Sequence, residues 1–262
     1  MIKSNPVKSL LKQGRPAFGT WITLCPHPRI VKILSSAGFD FVILEMEHTD
    51  FSLPQIGTLA MLARECGLVP IVRPPGIIKP HDLTRPLDSG AQGLLLPAVE
   101  TAEQMREIIR VTKYYPMGNR PMNLRGPHTD YIKAEPLQII QHLNEQTLTV
   151  VMIESMKAID NLDSIVSVEG VDCVMIGPDD LSQDLGLPGQ LQHPKLLETY
   201  DVIFEVCRRH KVAYGLSAQS PEMAEAWVAK GATWVPYQND AAMIYNAVHS
   251  AVPKLMKIGG RA

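Results

Sequence analysis

Carboxylate side chains follow closely after two runs of apolar residues in this sequence. Glu154 comes directly after LTVVMI, and Asp180 lies four residues beyond CVMI, in CVMIGPDD. An ionised carboxylate so near a buried segment needs a cation or a set of hydrogen-bond donors. Two such carboxylates suit one divalent ion, Mg²⁺ or Mn²⁺, and leave coordination positions for a chelating substrate. Two simpler interpretations stay open, because Glu154 could pair with Arg73, and Asp180 with Gln183 fits a helix-capping box.

A histidine and an arginine lie after two other apolar runs. In FVILEMEHTD, Glu45, Glu47 and His48 are close together, and a carboxylate beside an imidazole suits acid–base chemistry near neutral pH. In IVRPP, Arg73 precedes two prolines that hold the backbone extended, so its guanidinium could grip an oxyanion. A solvated acidic turn and a surface ion pair are the alternative interpretations of these two strings.

The turn after CVMI adds a second kind of binding group. Gly177 and Pro178 end the apolar run, and Asp179 and Asp180 open the next predicted helix. The first N–H groups of a helix have no partner inside it and attract carboxylate or phosphate groups. A 2-oxo acid, with a carboxylate beside its carbonyl oxygen, is a ligand that could chelate a metal held next to this turn.

Alternating strands and helices are needed to bring these groups together. Short apolar runs alternate with longer amphipathic segments, which indicates a parallel sheet of the α/β class. The eight predicted strands are Phe18–Leu24, Phe41–Glu45, Val69–Arg73, Gly93–Pro97, Leu148–Ile153, Cys173–Ile176, Tyr214–Leu216 and Trp234–Pro236. This number favours one (β/α)₈ TIM-barrel domain over residues 1–262, with reactive groups at the carboxyl ends of the strands. A doubly wound sheet is the competing fold, but FGTWITLCPHPR lacks the glycine-rich turn expected after its first strand.

Composition limits the partners that the chain can have. Lys and Arg total 25 against 27 for Asp and Glu, with no long run of either sign, so we expect no nucleic acid and no membrane partner. The four cysteines form no CxxC pair, which predicts reduced thiols. The amino-terminal segment has no apolar stretch of signal-peptide length, so we expect a cytoplasmic protein.

Several strings together resemble one enzyme family over nearly the whole chain. They are FGTW, AGFDFVILEMEHTD, IVRPP, LDSGAQGLLLPAVETAEQ, VMIES and VEGVDCVMIGPDDLSQDLG. In this order they resemble the HpcH/HpaI family of metal-dependent 2-oxo acid aldolases, within the phosphoenolpyruvate/pyruvate-binding barrels. The resemblance implies a class II carbon–carbon lyase that reversibly cleaves a 4-hydroxy-2-oxo acid to pyruvate, or a related 2-oxo acid, and an aldehyde through a metal-stabilised enolate.

The resemblance also implies a role for individual residues. Glu154 and Asp180 would ligate one divalent metal, Mg²⁺ or Mn²⁺, with Co²⁺ and Zn²⁺ as alternatives. His48 would be the acid–base residue, with Glu45 as its carboxylate partner, and Arg73 would stabilise the enolate oxygen. The substrate-binding residues implied are Trp21, Arg73, Gly177, Pro178, Asp179 and Leu216. Family members are typically hexamers built from trimers, with an exchanged C-terminal helix and sites close to subunit contacts, so we expect a homo-oligomer, a trimer or hexamer.

At three positions the sequence departs from the family pattern, and these departures affect the roles assigned to its residues. Glu45 stands where Asp is common, and its longer side chain is expected to shift the pairing with His48. Met152 stands where Gln is frequent. Pro121 follows Gly118-Asn119-Arg120 where the family usually has G-x-R-G.

The long connection between the fourth and fifth strands contains this last departure. We expect it to be a lid or a subunit contact, with Arg120, Asn123 and Arg125 in the aldehyde pocket, together with a neighbouring subunit.

Other functions stay open at this level. The same enolate site would serve an oxaloacetate-type decarboxylase, and the departures leave room for a non-catalytic binding barrel. A Schiff-base aldolase needs a lysine beside the barrel mouth, for which Lys157 is the candidate.

Overall fold

The strands of the computed structural model, which describes residues 2–259, are the short apolar segments of the sequence. They are β1 (Ala17–Ile22), β2 (Phe41–Glu45), β3 (Val69–Arg73), β4 (Gly93–Leu96), β5 (Leu148–Ile153), β6 (Cys173–Ile176), β7 (Ala213–Gly215) and β8 (Trp234–Asn239). Each strand pairs in parallel with its neighbours in sequence, and β1 also pairs with β8. The sheet is therefore a closed barrel, which confirms the predicted (β/α)₈ fold.

Helices surround this barrel and return the chain from one end to the other. They are α1 (Pro6–Lys12), α2 (Arg29–Ser36), α3 (Leu53–Glu65), α4 (Pro80–Asp88), α5 (Ala102–Thr112), α6 (Pro136–Gln146), α7 (Met156–Asp160), α8 (Leu162–Val166), α9 (Pro178–Asp184), α10 (Pro194–His210), α11 (Pro221–Ala229) and α12 (Asp240–Ile258), with a 3₁₀ turn at Pro127–Thr129. Capping boxes begin α3 and α5, where Ser52 pairs with Gln55 and Thr101 with Gln104. Within residues 2–259, none of the helices combines the length and apolarity required to span a bilayer.

The core has two layers because side chains alternate along each strand. One layer lies between the strands and the helices, and the other fills the barrel, where the Phe41 and Trp234 rings stack with centroids 4.0 Å apart. Val7 and Leu11 of α1 belong to the interior cluster. Helix α1 therefore closes the amino end of the barrel, and the carboxyl end is left to form a site.

The last helix, α12, contributes little to the core of its own chain. Asp240 is its one buried residue, whereas an apolar stripe of Ile244, Tyr245, Val248 and Leu255 faces solvent. An exposed apolar face of this length is typical of a contact between proteins. The exchange of this helix between subunits stays a prediction.

The long connection between α5 and α6 lies at the amino end of the barrel. Arg120 Nη2 donates to Asp88 Oδ1 at 2.5 Å, and Asp88 ends the helix that leads into β4. The carbonyl oxygen of Asn123 lies 2.8 Å from His128 Nε2 in the same layer. The prediction that Arg120, Asn123 and Arg125 form a lid over the aldehyde pocket of their own chain is wrong, because α5 carries the chain away from the carboxyl ends. A contact with another subunit stays a prediction.

A buried lysine lies in this amino-terminal layer without a carboxylate of its own. Lys113 Nζ donates to the carbonyl oxygens of Asn144 at 3.1 Å and Thr147 at 2.7 Å. Lys8 Nζ donates to the same Thr147 oxygen and to Asp172 Oδ2. Burial, reinforced by the charge of Lys8, lowers the pKa of Lys113 to about 7. The protein therefore stays folded around a lysine that loses its proton near neutral pH.

This lowered pKa gives stability a defined dependence on pH. Between pH 7 and 10.5 the unfolded chain binds more protons at Lys113 than the folded chain does, so the free energy of unfolding rises with pH across that window. Lys113→Met removes this contribution, and its slope against pH should be flatter by up to about 1.4 kcal/mol per pH unit. Urea unfolding from pH 7 to 9.5 measures both slopes. Lys133→Met, at an exposed position, is the control, and equal slopes for wild type and Lys113→Met would contradict the prediction.

Candidate active site

A cavity of about 650 Å³ opens at the carboxyl ends of the strands. Met152 and Met175, from β5 and β6, form part of its floor. The predicted site residues that line it are Trp21, Glu45, His48, Arg73, Glu154, Gly177, Pro178, Asp179, Asp180 and Leu216. Strand ends that are far apart in sequence thus place acidic, basic and imidazole groups around one cavity.

The carboxylate of Asp180 lies close enough to Glu154 to act on the pKa of Glu154. Glu154 follows β5, and Asp180 is in the first turn of α9. Burial raises the pKa of Glu154, and the carboxylates of Asp180 and Glu47 act in the same direction. Helix α9 begins at Pro178 with Gly177 as its N-cap, so the capping-box interpretation of Asp180 is wrong.

The backbone around Glu154 is shaped to leave its carboxylate room. Its Oε1 accepts the N–H of Ala98 at 2.6 Å, and Ala98 holds the left-handed conformation with φ of 52°. A Cβ atom on Gly177 would lie 2.7 Å from Glu154 Oε2, so a larger residue at 177 would displace the carboxylate. One oxygen of Glu154 is thus fixed by backbone, and the other points towards Gly177.

This donor set fits a divalent ion that takes only two ligands from the protein. Among residues 2–259 no group of three or more His, Cys, Asp or Glu side chains is arranged to hold a metal. Glu154 and Asp180 repel each other in a partly desolvated place, and a hard cation between them would relieve this repulsion. The remaining positions would fall to substrate and water.

Arg73 is held on two sides at the mouth of the barrel. Its Nε donates to Glu45 Oε2 at 2.6 Å, and its Nη1 lies 3.1 Å from Glu47 Oε2. The guanidinium carbon lies 5.0 Å from the ring centroid of Trp21, whose Nε1 donates to Ser217 Oγ at 3.2 Å. The guanidinium therefore has little freedom to turn away from the cavity.

Glu45 pairs with Arg73 and not with the imidazole of His48. Residues 45 and 73 are direct partners in the β2–β3 register, and the Glu45 side chain is buried. Its other oxygen, Oε1, accepts the backbone N–H groups of Glu47 at 2.6 Å and His48 at 3.2 Å. The expected Glu45–His48 side-chain pairing is therefore wrong, because the longer side chain reaches across to the next strand.

Glu47 takes the place beside the histidine ring. Its Oε2 lies 3.8 Å from His48 Nε2, and the imidazole is largely exposed. Burial raises the pKa of Glu47, whereas Arg73 opposes that rise. The sequence contained Glu47 in the same string but did not distinguish its role from that of Glu45.

Lys157 lies outside the cavity. Its Nζ forms an ion pair with Glu100 Oε2 at 2.8 Å, and none of the described residues that line the cavity is a lysine. The Schiff-base alternative therefore loses its candidate nucleophile.

A closed parallel barrel with carboxylates, an arginine and a histidine around its carboxyl mouth defines an enzyme-type site for small polar molecules. The model of the HpcH/HpaI aldolase/citrate lyase family matches residues 18–247, and the chain belongs to this family.

Two curated relatives are similar over almost their full lengths. One is a 2-keto-3-deoxy-L-rhamnonate aldolase of Escherichia coli strain K12, 32% identical over 246 residues that cover 93% of this chain and 90% of the relative. The other is a 4-hydroxy-2-oxo-heptane-1,7-dioate aldolase of Klebsiella pneumoniae, 32% identical over 241 residues that cover 92% and 90%.

Two solved structures are similar to this chain in fold and sequence over almost their full lengths. The HpcH/HpaI aldolase from Desulfitobacterium hafniense DCB-2 matches with a TM-score of 0.90 and 33% identity, covering 95% of this chain and 96% of that chain. The citrate synthase SbnG matches with a TM-score of 0.88 and 27% identity, covering 97% and 98%.

The Glu45–Arg73 pair should contribute measurably to folding. Removing one partner of a buried pair leaves an unpaired charge, so Arg73→Met, which strips the buried Glu45 carboxylate of its cation, should lower the free energy of unfolding by about 3 kcal/mol. Urea unfolding of Glu45→Gln, Arg73→Met and the double variant measures the coupling. The exposed pair Glu103–Arg106 is the matched control, and its coupling should stay below about 1 kcal/mol. Additive effects at 45 and 73 would show that the two side chains do not stabilise each other.

Proposed function

We propose that this chain is a divalent-metal-dependent aldolase that cleaves a 4-hydroxy-2-oxo acid to pyruvate, or a related 2-oxo acid, and an aldehyde. The observation that carries the proposal is the convergence of Glu154, Asp180 and Arg73 on one cavity at the carboxyl end of the barrel. Two relatives named as aldolases of 2-oxo acids, at 32% identity over more than nine-tenths of the chain, support it.

Glu154 and Asp180 are the residues that would hold the metal. Mg²⁺ and Mn²⁺ suit two carboxylates completed by substrate and water, with Co²⁺ and Zn²⁺ as alternatives. When bound, such an ion polarises the keto oxygen of the substrate and offsets the negative charge that develops there.

Arg73 is proposed to share that developing charge. Its guanidinium is already oriented by Glu45 and Trp21, so it donates to the C2 oxygen without first reorganising. The backbone N–H groups at the start of α9, after Gly177 and Pro178, would receive the substrate carboxylate. Leu216 and Trp21 would enclose the carbon chain between these anchors.

His48 is proposed to move the proton of the aldehyde oxygen. In the cleavage direction the C4 hydroxyl loses its proton to the imidazole and the C3–C4 electron pair stays on C3, which later takes up a proton to give pyruvate. The exposed ring lines the cavity and can reach substrate, and Glu47 Oε2 lies 3.8 Å from its Nε2. Glu45 would act by positioning Arg73 and the backbone of His48.

Exchange of the pyruvate methyl protons in D₂O tests this proposal without any aldehyde. Proton NMR should show exchange with Mg²⁺ or Mn²⁺ and none after EDTA treatment. Arg73→Met should slow exchange by about 10²-fold, the usual effect of removing one donor to a developing oxyanion. Glu154→Gln and Asp180→Asn should each weaken Mn²⁺ binding measured by calorimetry, whereas Glu169→Gln, exposed in the turn between α8 and β6, should not. Exchange that persists in EDTA would overturn the metal assignment.

We further propose a homo-oligomer, a trimer or hexamer, in which α12 packs on a neighbouring subunit in the cytoplasm. The exposed apolar stripe of α12 supports this assembly. Val248→Glu places a charge in the stripe and should reduce the mass measured by light scattering, whereas Glu225→Gln on α11 should not. A monomeric wild-type protein would contradict the assembly.

A further inference from the structure

The cavity continues beyond the reacting groups into a second region, which we call the distal pocket. It lies between the ends of β7 and β8 and helices α10 and α11. Its lining combines Met223 and the aromatic rings of Tyr200 and Trp227 with the neutral polar side chains of Gln192, Ser217 and Gln219. None of these six residues has a role in the chemistry proposed above.

The charges around the cavity do not favour a second carboxylate on the substrate. Among the described residues that line the cavity, Arg73 is the only lysine or arginine, and Glu45 already pairs with it. A divalent ion would offset Glu154 and Asp180, which leaves the charge of Asp179 without a counter-charge. An anionic group in the distal pocket would therefore meet a neutral or negative surface.

The same region offers hydrogen-bond donors that suit neutral oxygen atoms. Ser217 Oγ accepts from Trp21, which leaves its own hydrogen free to donate. Gln219 forms hydrogen bonds through its backbone N–H and its carbonyl oxygen. Its exposed side-chain amide can therefore turn towards a ligand. Hydroxyl oxygens can accept from these groups without needing a cation.

We propose that the aldehyde half of the substrate is uncharged and hydroxylated, and that an aldehyde bearing a carboxylate is a poor substrate. This proposal rests on the aldolase function proposed above and names its substrate class. The carbon chain packs against Tyr200 and Met223, while hydroxyl groups accept from Ser217 and Gln219. The two curated relatives are equally similar to this chain, and one is named for a dicarboxylate, the 1,7-dioate. The charge of the cavity lining favours a substrate whose aldehyde half carries no carboxylate.

Two pairs of aldehydes, each added to pyruvate, test charge and hydroxylation separately. Succinic semialdehyde and its methyl ester differ in one charge, and we expect kcat/KM at least tenfold higher for the ester. Glyceraldehyde and propanal differ in their hydroxyl groups, and we expect at least tenfold in favour of glyceraldehyde. Equal use of the members of either pair, or preference for the acid, would overturn the proposal.

A variant that introduces a positive charge tests whether the distal pocket discriminates between the acidic aldehyde and its ester. Gln219→Arg should raise the acid-to-ester ratio of kcat/KM by about tenfold, the effect of one opposite charge near a surface, and added salt should weaken the gain. Gln219→Met, of similar length and without charge, should leave that ratio as in wild type. If Gln219→Arg fails to fold, Gln192→Lys places the cation on the other side of the same pocket. An unchanged ratio in a folded cationic variant would refute this assignment.

Pyruvate proton exchange, measured on the same preparations, distinguishes failure of the proposed substrate class from failure of the aldolase function. Exchange together with a preference for the acidic aldehyde would overturn the substrate class and leave the aldolase function standing. Absence of exchange with every divalent ion, together with no cleavage of any 4-hydroxy-2-oxo acid, would overturn both.

Discussion

Hydrogen bonds between β1 and β8 close the parallel sheet, and this closure fixes the height at which every strand ends. Glu45 lies opposite Arg73 and Ile153 opposite Ile176 because the register of a closed barrel admits no independent sliding of one strand. Glu154 and Gly177 then follow directly from paired strand ends, which explains the close approach between that carboxylate and the glycine backbone. The geometry of the site is thus a consequence of strand register.

The same closure places charged groups where water is scarce. Glu45 is buried beneath Arg73, and burial raises the pKa of Glu154 above its ordinary range. Ala98 adds a left-handed backbone conformation, in which a residue with a side chain is strained, and directs its N–H at Glu154. The burial of the Glu154 carboxylate and the left-handed backbone of Ala98 do not improve folding by themselves. Both are expected if the carboxyl end is organised to bind a ligand. The rest of the core then offsets the stability that this arrangement costs.

The sequence predicted the barrel because apolar runs of strand length recur with helical segments between them, and it predicted the site because polar residues end those runs. It did not predict that Glu45 would contact Arg73, since that contact depends on the register between two strands. Ala98 carries no signal in its side chain, because its backbone makes the contact. The position of Arg120 was predictable in principle, since a segment that follows a barrel helix must lie at the amino end.

Charged residues at the amino end of the barrel form buried ion pairs, whereas those at the carboxyl end surround the cavity. At the amino end, Arg64 pairs with Asp130, Arg120 with Asp88 and Lys8 with Asp172, and each of these cations is largely buried. At the carboxyl end, Arg73 is the one arginine or lysine among the described residues that line the cavity. Cations locked beneath the barrel are too distant to balance a ligand at its mouth, because charge interactions weaken with distance and screening. Within one chain, the charge that a ligand meets at the mouth is therefore set by Arg73 and the local carboxylates, whatever the net charge of the chain.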